Sequence, residues 1–146
     1  MKRFNYDDNP WEFNNEPLLN IPEGVYGFVY ELENKLTGDK YIGRKYFYSV
    51  SGRGKKAVKR ESNWKGYWSS SNVIKTQINE YGKLAFKRTI LSLCYTARDT
   101  NEEEVHLQWF FNVLHAKKED SSYAYINDNI SGKYFRRIRN EPIRNY

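Results

Sequence analysis

The clearest pattern in the chain is a pair of short apolar runs separated by a polar loop. In residues 25–32, Phe28 and Tyr30 alternate with other side chains, and a two-residue period is typical of a β-strand. The loop contains Asn, Thr, Gly and Asp, which favour turns, and a second run rich in aromatic and β-branched residues occupies residues 40–46. This pattern predicts a β-hairpin that presents the phenols of Tyr30 and Tyr41 from adjacent strands.

A short helix and a third strand are predicted after the hairpin. Ser69-Ser70-Ser71-Asn72 offers N-cap candidates ahead of apolar residues at helical spacing, and Gly82 supplies a C-terminal stop. The apolar run over residues 86–93 follows, and it predicts a strand at the centre of the sheet.

A second helix is predicted from Thr100 to about residue 116 or 117. Thr100 and Glu103 have the spacing of a capping box, in which the threonine caps the helix and the glutamate reaches back to it. Glu104 and Gln108 fall beside the apolar face rather than within it. The predicted buried stripe consists of Leu107, Phe110, Phe111 and Leu114.

Charge is segregated along the chain. The formal net charge is +6, from 24 basic and 18 acidic residues, and residues 40–68 hold nine Lys or Arg against the single acid Glu61. Segregated charge favours a directed anionic partner, and the high aromatic content suits nucleic acid. The candidate phosphate contacts are Arg44, Lys45, Arg53, Lys55, Lys56, Lys59, Arg60 and Lys65. The alternative for the basic stretch over residues 49–65 is a solvated linker, and the aromatics Trp64, Tyr67 and Trp68 fit either base stacking or core packing.

No apolar run near twenty residues is present, so no membrane span is expected. The N-terminus lacks the unbroken apolar core of a secretory signal, and the lone Cys94 has no partner for an internal disulfide. These features predict a reducing, cytoplasmic setting, which is the host-cell cytoplasm if the chain is phage-encoded. Cys94 itself lies in an apolar strand and is expected to be buried and inert.

The hairpin residues carry a family resemblance. Phe28-Val29-Tyr30, followed eleven residues later by Tyr41-Ile42-Gly43, resembles the paired motif of the GIY-YIG endonucleases, with Phe-Val where that family usually has Gly-Ile. The segments over residues 61–70 and 81–91, and a Glu followed four residues later by Gln, are similar to phage-encoded Seg-type, homing-endonuclease-like members. Together with the predicted elements, the resemblance implies an α+β fold with a small three-stranded antiparallel sheet flanked by helices.

The resemblance divides the chain into three parts. Residues 25–130 form the nuclease-like domain, residues 131–146 form a basic C-terminal tail, and residues 1–24 form an N-terminal arm. The arm is predicted to pack on the domain, and a disordered leader is the alternative. The arm residues expected to pack are Phe4, Trp11, Phe13, Leu18 and Leu19.

The resemblance also implies an active site. Its tyrosines are Tyr30 and Tyr41, its metal-binding glutamate is Glu104 and its late asparagine is Asn127, while Gly43 is the motif glycine. The family's usual cation does not align, because the position ten residues beyond Tyr41 is a serine. Lys45 and Arg60 are therefore preferred for this role, ahead of Arg53.

These residue types permit hydrolysis of DNA phosphodiester bonds with one Mg²⁺ (or Mn²⁺). Tyr30 would activate water, Tyr41 would position the water or the phosphate, and Glu104 would bind the metal. A phenol has an ordinary pKa of about 10, so Tyr30 needs a nearby cation to act as a base at neutral pH. The alternatives are a DNA-binding module that has lost catalysis and a structural protein whose tyrosines are core residues. The target sequence or structure, nicking or double-strand cleavage, and the oligomeric state are left open.

Overall fold

A computed structural model describes residues 9–146, and a mixed β-sheet forms its centre. Two α-helices and two small two-stranded sheets surround it. In chain order, the elements are β1 (Glu12–Phe13), β2 (Glu16–Pro17), β3 (Gly27–Asn34), β4 (Lys40–Tyr46), β5 (Tyr48–Ser51), β6 (Val58–Glu61), α1 (Asn72–Tyr81), β7 (Phe86–Cys94), α2 (Ala97–Phe110), β8 (Asn129–Ile130) and β9 (Tyr134–Phe135).

The central sheet has five strands in the order β2-β1-β7-β3-β4. The predicted hairpin is the antiparallel pair β3–β4, and β7 pairs antiparallel with β3 and lies at the centre of the sheet, as predicted. The α+β class is confirmed. The three-stranded antiparallel description is wrong, because β1 and β2 extend the sheet and β1 runs parallel to β7.

The two extra strands come from the N-terminal arm. Asn14 and Asn15 connect them with φ angles of 53° and 66°, the left-handed values that a two-residue hairpin turn requires. Trp11 is 1% exposed, and its indole N–H donates to the carbonyl oxygen of Trp64 at 2.7 Å. Phe13 and Leu18 pack against the core and Leu19 is half exposed, whereas Phe4 lies outside the described residues.

The two faces of the sheet bury different side chains. Phe28, Tyr30 and Leu32 of β3 share one face with Ile74 of α1 and with the arm residue Trp11. On the opposite face, Val29 and Ile42 pack with residues from α2 and from the segment that follows it. The helices therefore cover opposite faces, and the alternation predicted for β3 is the cause of this layering. No helix within residues 9–146 has both the length and the apolar character that crossing a membrane requires.

Helix α1 begins and ends as predicted. The Ser71 hydroxyl accepts from the backbone N–H of Ile74 at 3.3 Å, and Gly82 ends the helix with φ of 85°. Helix α2 begins earlier than predicted, because Thr96 caps it by accepting from the N–H of Asp99 at 2.9 Å. Thr100 is fully buried inside the helix, so its assignment as the N-cap is wrong.

The predicted C-terminal end of α2 is also wrong. The helix ends at Phe110, and Asn112 follows with φ of 55°, a left-handed conformation that ends a helix readily. Phe110 is 69% exposed and does not belong to the buried stripe. Leu107, Phe111 and Leu114 do pack on the sheet.

The basic stretch forms the β5–β6 hairpin, for which the sequence shows no strong period. Every residue from 51 to 60 is exposed. Of the aromatics that follow, Trp64 is fully buried, while Tyr67 and Trp68 pack against the same core. Core packing is therefore the arrangement that the structure shows for these rings.

Candidate active site

Tyr30 and Tyr41 lie side by side on one face of the β3–β4 hairpin. Their ring centroids are 6.3 Å apart. Gly43 lies directly opposite Tyr30 in the strand pair, and a Cβ atom at this position would lie 2.5 Å from the Tyr30 phenolic oxygen and 2.9 Å from the Tyr41 ring. The sequence predicts that something approaches Gly43 closely. That neighbour is the pair of tyrosines.

Ser69 connects the two phenols. Its buried side chain lies next to both phenols and lowers the pKa of each, and the Tyr67 phenol lies next to Tyr30. Burial raises the pKa of Tyr30 well above its ordinary value, and the phenols of Tyr67 and Tyr41 raise it further. Burial also raises the pKa of Tyr41, with a second contribution from the charge of Glu104. Both phenols are therefore protonated at neutral pH.

Glu104 projects from α2 towards Tyr41 and Arg44. The nearest Arg44 nitrogen, Nε, lies 3.6 Å from a carboxylate oxygen of Glu104, and the same Nε donates to the side-chain oxygen of Asn101. The Glu104 side chain is 21% exposed. Burial raises its pKa, and the Arg44 guanidinium partly opposes that rise. A desolvated carboxylate with one partly exposed cationic neighbour retains a preference for further positive charge.

A cleft of about 440 Å³ opens at the outer edge of β4. Because β4 is an edge strand, side chains from both faces of the sheet reach this cleft. Tyr41 enters from one face, Glu104 and Gln108 enter from the other, and the first turn of α1 with Asn72 closes one side. The remaining lining residues come from the segment over residues 126–132.

Asn127 holds the edge of β4 at this cleft. Its side-chain oxygen accepts from the N–H of Ile42 at 3.0 Å, and its side-chain nitrogen donates to the Ile42 carbonyl at 2.8 Å. Gln108 donates to the same carbonyl at 3.0 Å. The Asn127 amide thus replaces the missing neighbouring strand at Ile42, and the contribution that this geometry supports is positioning of β4.

Comparison with known families agrees with the family that the paired tyrosine motif indicates. A family model described as "Putative endonuclease segE, GIY-YIG domain" matches residues 11–130. The chain belongs to the GIY-YIG endonuclease family. No match was found among curated proteins or among solved structures.

The sequence spacing of this GIY-YIG chain does not identify the cationic residue of the site. In the structure, the three candidates lie in different places. Lys45 follows Gly43 on the tyrosine face, with its ammonium 4.3 Å from the centre of the Tyr67 ring, and burial lowers its pKa. Arg60 lies on β6, fully in the exposed hairpin, and Arg53 lies in the turn of that hairpin. Across residues 9–146, no hydrogen bond, ion pair or ring contact connects Arg60 or Arg53 with Tyr30, Tyr41 or Glu104.

The remaining predicted phosphate contacts fall into two groups. Arg44 lies beside Glu104, within the site. Lys55, Lys56 and Lys59 lie on the exposed β5–β6 hairpin, where Lys59 packs its ammonium over the Tyr48 ring at 4.3 Å, and Lys65 follows near Trp64. The hairpin is thus a basic surface, and its lysines do not contact Tyr30, Tyr41 or Glu104.

Arg88 is a residue that sequence reasoning missed. It is 2% exposed, and its guanidinium lies between the rings of Trp11 and Trp68, at 4.2 and 4.1 Å from their centres. It donates to the backbone carbonyls of Asn9, Lys65 and Tyr67. Burial lowers the pKa of Arg88 to about 9, and the neighbouring Tyr30 phenol opposes that shift. An arginine inside an apolar strand was the available signal.

The donor set suits a lightly held divalent cation. Glu104 and Asp128 are the carboxylates close to Tyr41, and both line the cleft. No group of three or more His, Cys, Asp or Glu suited to a metal occurs in the described part of the chain. Mg²⁺ is commonly held by one or two carboxylates together with water and substrate phosphate, so these residues fit it.

Proposed function

We propose that the protein is a metal-dependent DNA endonuclease that hydrolyses phosphodiester bonds at the Tyr30–Tyr41–Glu104 cluster. One observation carries the proposal. Two motif phenols in ring contact, with Ser69 beside them, and a desolvated carboxylate from another element meet near the edge of β4, where an open cleft can admit a strand. Family membership supports the endonuclease class.

Positive charge and helix geometry make the cleft suitable for phosphate. The first turn of α1 lines it, and a helix N-terminus carries unpaired N–H groups and a partial positive charge. Arg44 stands beside Glu104 and is 40% exposed along its side chain, so it can rotate towards an incoming phosphate. In this proposal Arg44, with Lys45 near the phenols, takes the cationic role for which the sequence favours Lys45 or Arg60.

Glu104 would hold Mg²⁺ or Mn²⁺, with Asp128 available on the same wall of the cleft. The bound cation would supply positive charge that stabilises the developing phosphate charge and offsets the Glu104 charge that raises the pKa of Tyr41.

The structure favours a different division of work between the tyrosines from the one predicted from the sequence. Tyr41 lines the cleft, whereas Tyr30 is 1% exposed and packed beside Ser69 and Tyr67. We therefore assign the contact with the attacking water to Tyr41 and the support of that phenol, through Ser69, to Tyr30. In this step Tyr41 has first lost its own proton to solvent; its phenolate then takes a proton from the attacking water as the water oxygen bonds to phosphorus. The bond to the sugar oxygen breaks, and that oxygen leaves with the bonding electrons and takes a proton from solvent water.

Two buried or half-buried cations near Tyr30 partly oppose the burial that keeps this phenol protonated. Arg88 interacts electrostatically with Tyr30, and Lys45 packs on Tyr67, whose ring contacts that of Tyr30. Positive charge near a phenol favours the phenolate, which is the form that can accept a proton. The free, buried Cys94 suits the reducing, cytoplasmic setting that we propose for this activity.

Cleavage of supercoiled plasmid by the native protein tests this function. Nicked or linear product that forms with Mg²⁺ or Mn²⁺ and not with a chelator is the expected result. Gel retardation of plasmid and short duplexes without cutting, with either metal, would instead identify a DNA-binding module that has lost catalysis.

A further inference from the structure

A second cleft, of about 520 Å³, is lined by residues of the β8–β9 hairpin other than those that line the active-site cleft. Three aromatic rings contribute to it, and they are unusually open to solvent: Trp109 is 41% exposed, Tyr134 51% and Phe135 58%. The Trp109 and Tyr134 rings meet edge to face at 5.3 Å. This cleft is hereafter called the aromatic cleft.

The aromatic cleft is also strongly basic. Lys133, Arg137 and Arg139 line it, and all three are exposed. No acidic residue is found among its described lining residues. Cations that surround stacked rings suit a ligand with both an anionic backbone and flat apolar faces, which is the chemistry of a nucleotide strand.

The aromatic cleft continues from the active site along two elements. Ser131 and Gly132, in the turn of the β8–β9 hairpin, line the active-site cleft, and the next residues of the same hairpin line the aromatic cleft. Helix α2 carries Glu104 at the first cleft and Trp109 at the second, five residues further on.

We propose that the aromatic cleft binds an unpaired base of the DNA strand that enters the active site. This inference rests on the proposed function and names its substrate class. Inside a duplex, base faces are covered by stacking, so exposed protein rings can stack only on a base that has left the helix. Arg137 and Arg139 neutralise the adjacent phosphates, and Tyr134 and Trp109 hold the base. The preferred target is therefore DNA with a bulge, branch or unpaired segment beside the cut.

Equilibrium binding without metal tests this inference independently of cleavage. The probes are a labelled duplex with one unpaired 2-aminopurine and the fully paired duplex of the same length, in the presence of a chelator. The native protein is expected to bind the bulged duplex about tenfold more tightly and to quench 2-aminopurine by stacking. Tyr134→Leu and Trp109→Leu should lose most of this preference while binding the paired duplex within about twofold of native affinity.

Tyr95→Leu is the matched control, because Tyr95 is 72% exposed and lines a different cleft, together with residues of β7 and α2. This variant should leave both affinities unchanged. The double variant R137E/R139E should weaken binding of both duplexes. Tyr134 lies on a short surface hairpin, so its variant remains informative if Trp109→Leu fails to fold, as judged by circular dichroism.

Equal affinity of the native protein for the two duplexes, or a preference that survives in Tyr134→Leu, would overturn the inference. The two proposals fail separately. Selective binding of the bulged duplex without cutting in Mg²⁺ would retain the base site and refute the nuclease. Cutting in Mg²⁺ without selective binding of the bulged duplex would retain the nuclease and refute the base site.

Discussion

Gly43 faces Tyr30 across the β3–β4 pair, and the Tyr30 phenol occupies the space that a side chain at residue 43 would need. The contact explains why the motif glycine and the first motif tyrosine belong to one unit. The tyrosine ring reaches over the neighbouring strand at Gly43, where it lies next to Tyr41 and Ser69. The lack of a side chain at Gly43 in β4 therefore allows the Tyr30 ring of β3 to take this position.

Gly43→Ala should remove cleavage and destabilise the fold by about 1–3 kcal/mol, because the added methyl overpacks a buried site and displaces the Tyr30 ring. Plasmid nicking and urea unfolding measure the two effects. Gly66→Ala is the matched control, since a Cβ there meets nothing within 4 Å. Native nicking rates in Gly43→Ala would show that the Tyr30 position is not needed.

Glu104→Gln should stabilise the metal-free protein at neutral pH by about 1 kcal/mol. Burial raises the folded-state pKa of Glu104 above its unfolded value, so the folded state favours the neutral carboxyl. The stability that Glu104 contributes is therefore fully present below the unfolded pKa, near 4.3, and is lost as pH rises through the folded pKa. Glu104→Gln should accordingly gain stability at pH 7 and gain little near pH 4.

Urea unfolding at these two pH values, without metal, measures the difference. Glu102→Gln serves as the control, because Glu102 lies on the same helix and is exposed. Destabilisation by Glu104→Gln at pH 7 would mean that its pairing with Arg44 outweighs the cost of burial.

Asn127→Ala should destabilise the protein by about 2–4 kcal/mol, because it leaves the buried N–H of Ile42 without its partner and weakens satisfaction of the Ile42 carbonyl. Gln108 still donates to that carbonyl, so the carbonyl loses only one of its two side-chain hydrogen bonds. Hydrogen exchange at Ile42, together with urea unfolding, checks this. Asn140→Ala, at an exposed position, should change stability by less than about 0.5 kcal/mol. Slow, native-like hydrogen exchange at Ile42 in Asn127→Ala would contradict the role of Asn127 in holding β4.

Arg88→Met and Arg88→Lys should each destabilise by about 2–4 kcal/mol. Methionine keeps much of the apolar stem but leaves three backbone carbonyls without a donor. Lysine keeps the charge but loses the flat group that fits between Trp11 and Trp68. Urea unfolding measures both, with exposed Lys87→Met on the same strand as the control. Wild-type stability of Arg88→Met would show that the arginine is dispensable to the fold.

The sequence predicted the elements whose patterns are local and long. Alternation in β3 and the serine run before α1 led to correct elements because each depends on neighbours in the chain. The N-terminal strands escaped prediction because each has two residues, and β1 is held by a parallel pairing with distant Thr89. The start of α2 was misplaced because Thr96-x-x-Asp99 and Thr100-x-x-Glu103 compete as caps.

The candidate site was predictable as a set of residues and only partly as a geometry. Tyr30, Tyr41 and Glu104 came from the motifs, and they lie in one cluster. The burial of Arg88 and the hydrogen bonds between Asn127 and Ile42 depend on residues far apart in the chain, so no local sequence pattern predicts them. Arg60 likewise lies away from the phenols because it belongs to the β5–β6 hairpin, where it pairs with Ser49 and is exposed to solvent.

The most direct test of the account is plasmid cleavage by Glu104→Ala and Glu102→Ala in Mg²⁺, at matched protein concentration and with binding measured in parallel. The account predicts that Glu102→Ala cuts as the native protein does, and that Glu104→Ala binds DNA but loses at least about a hundredfold in rate, since the metal-holding carboxylate is gone. Undiminished cutting by Glu104→Ala would contradict the account.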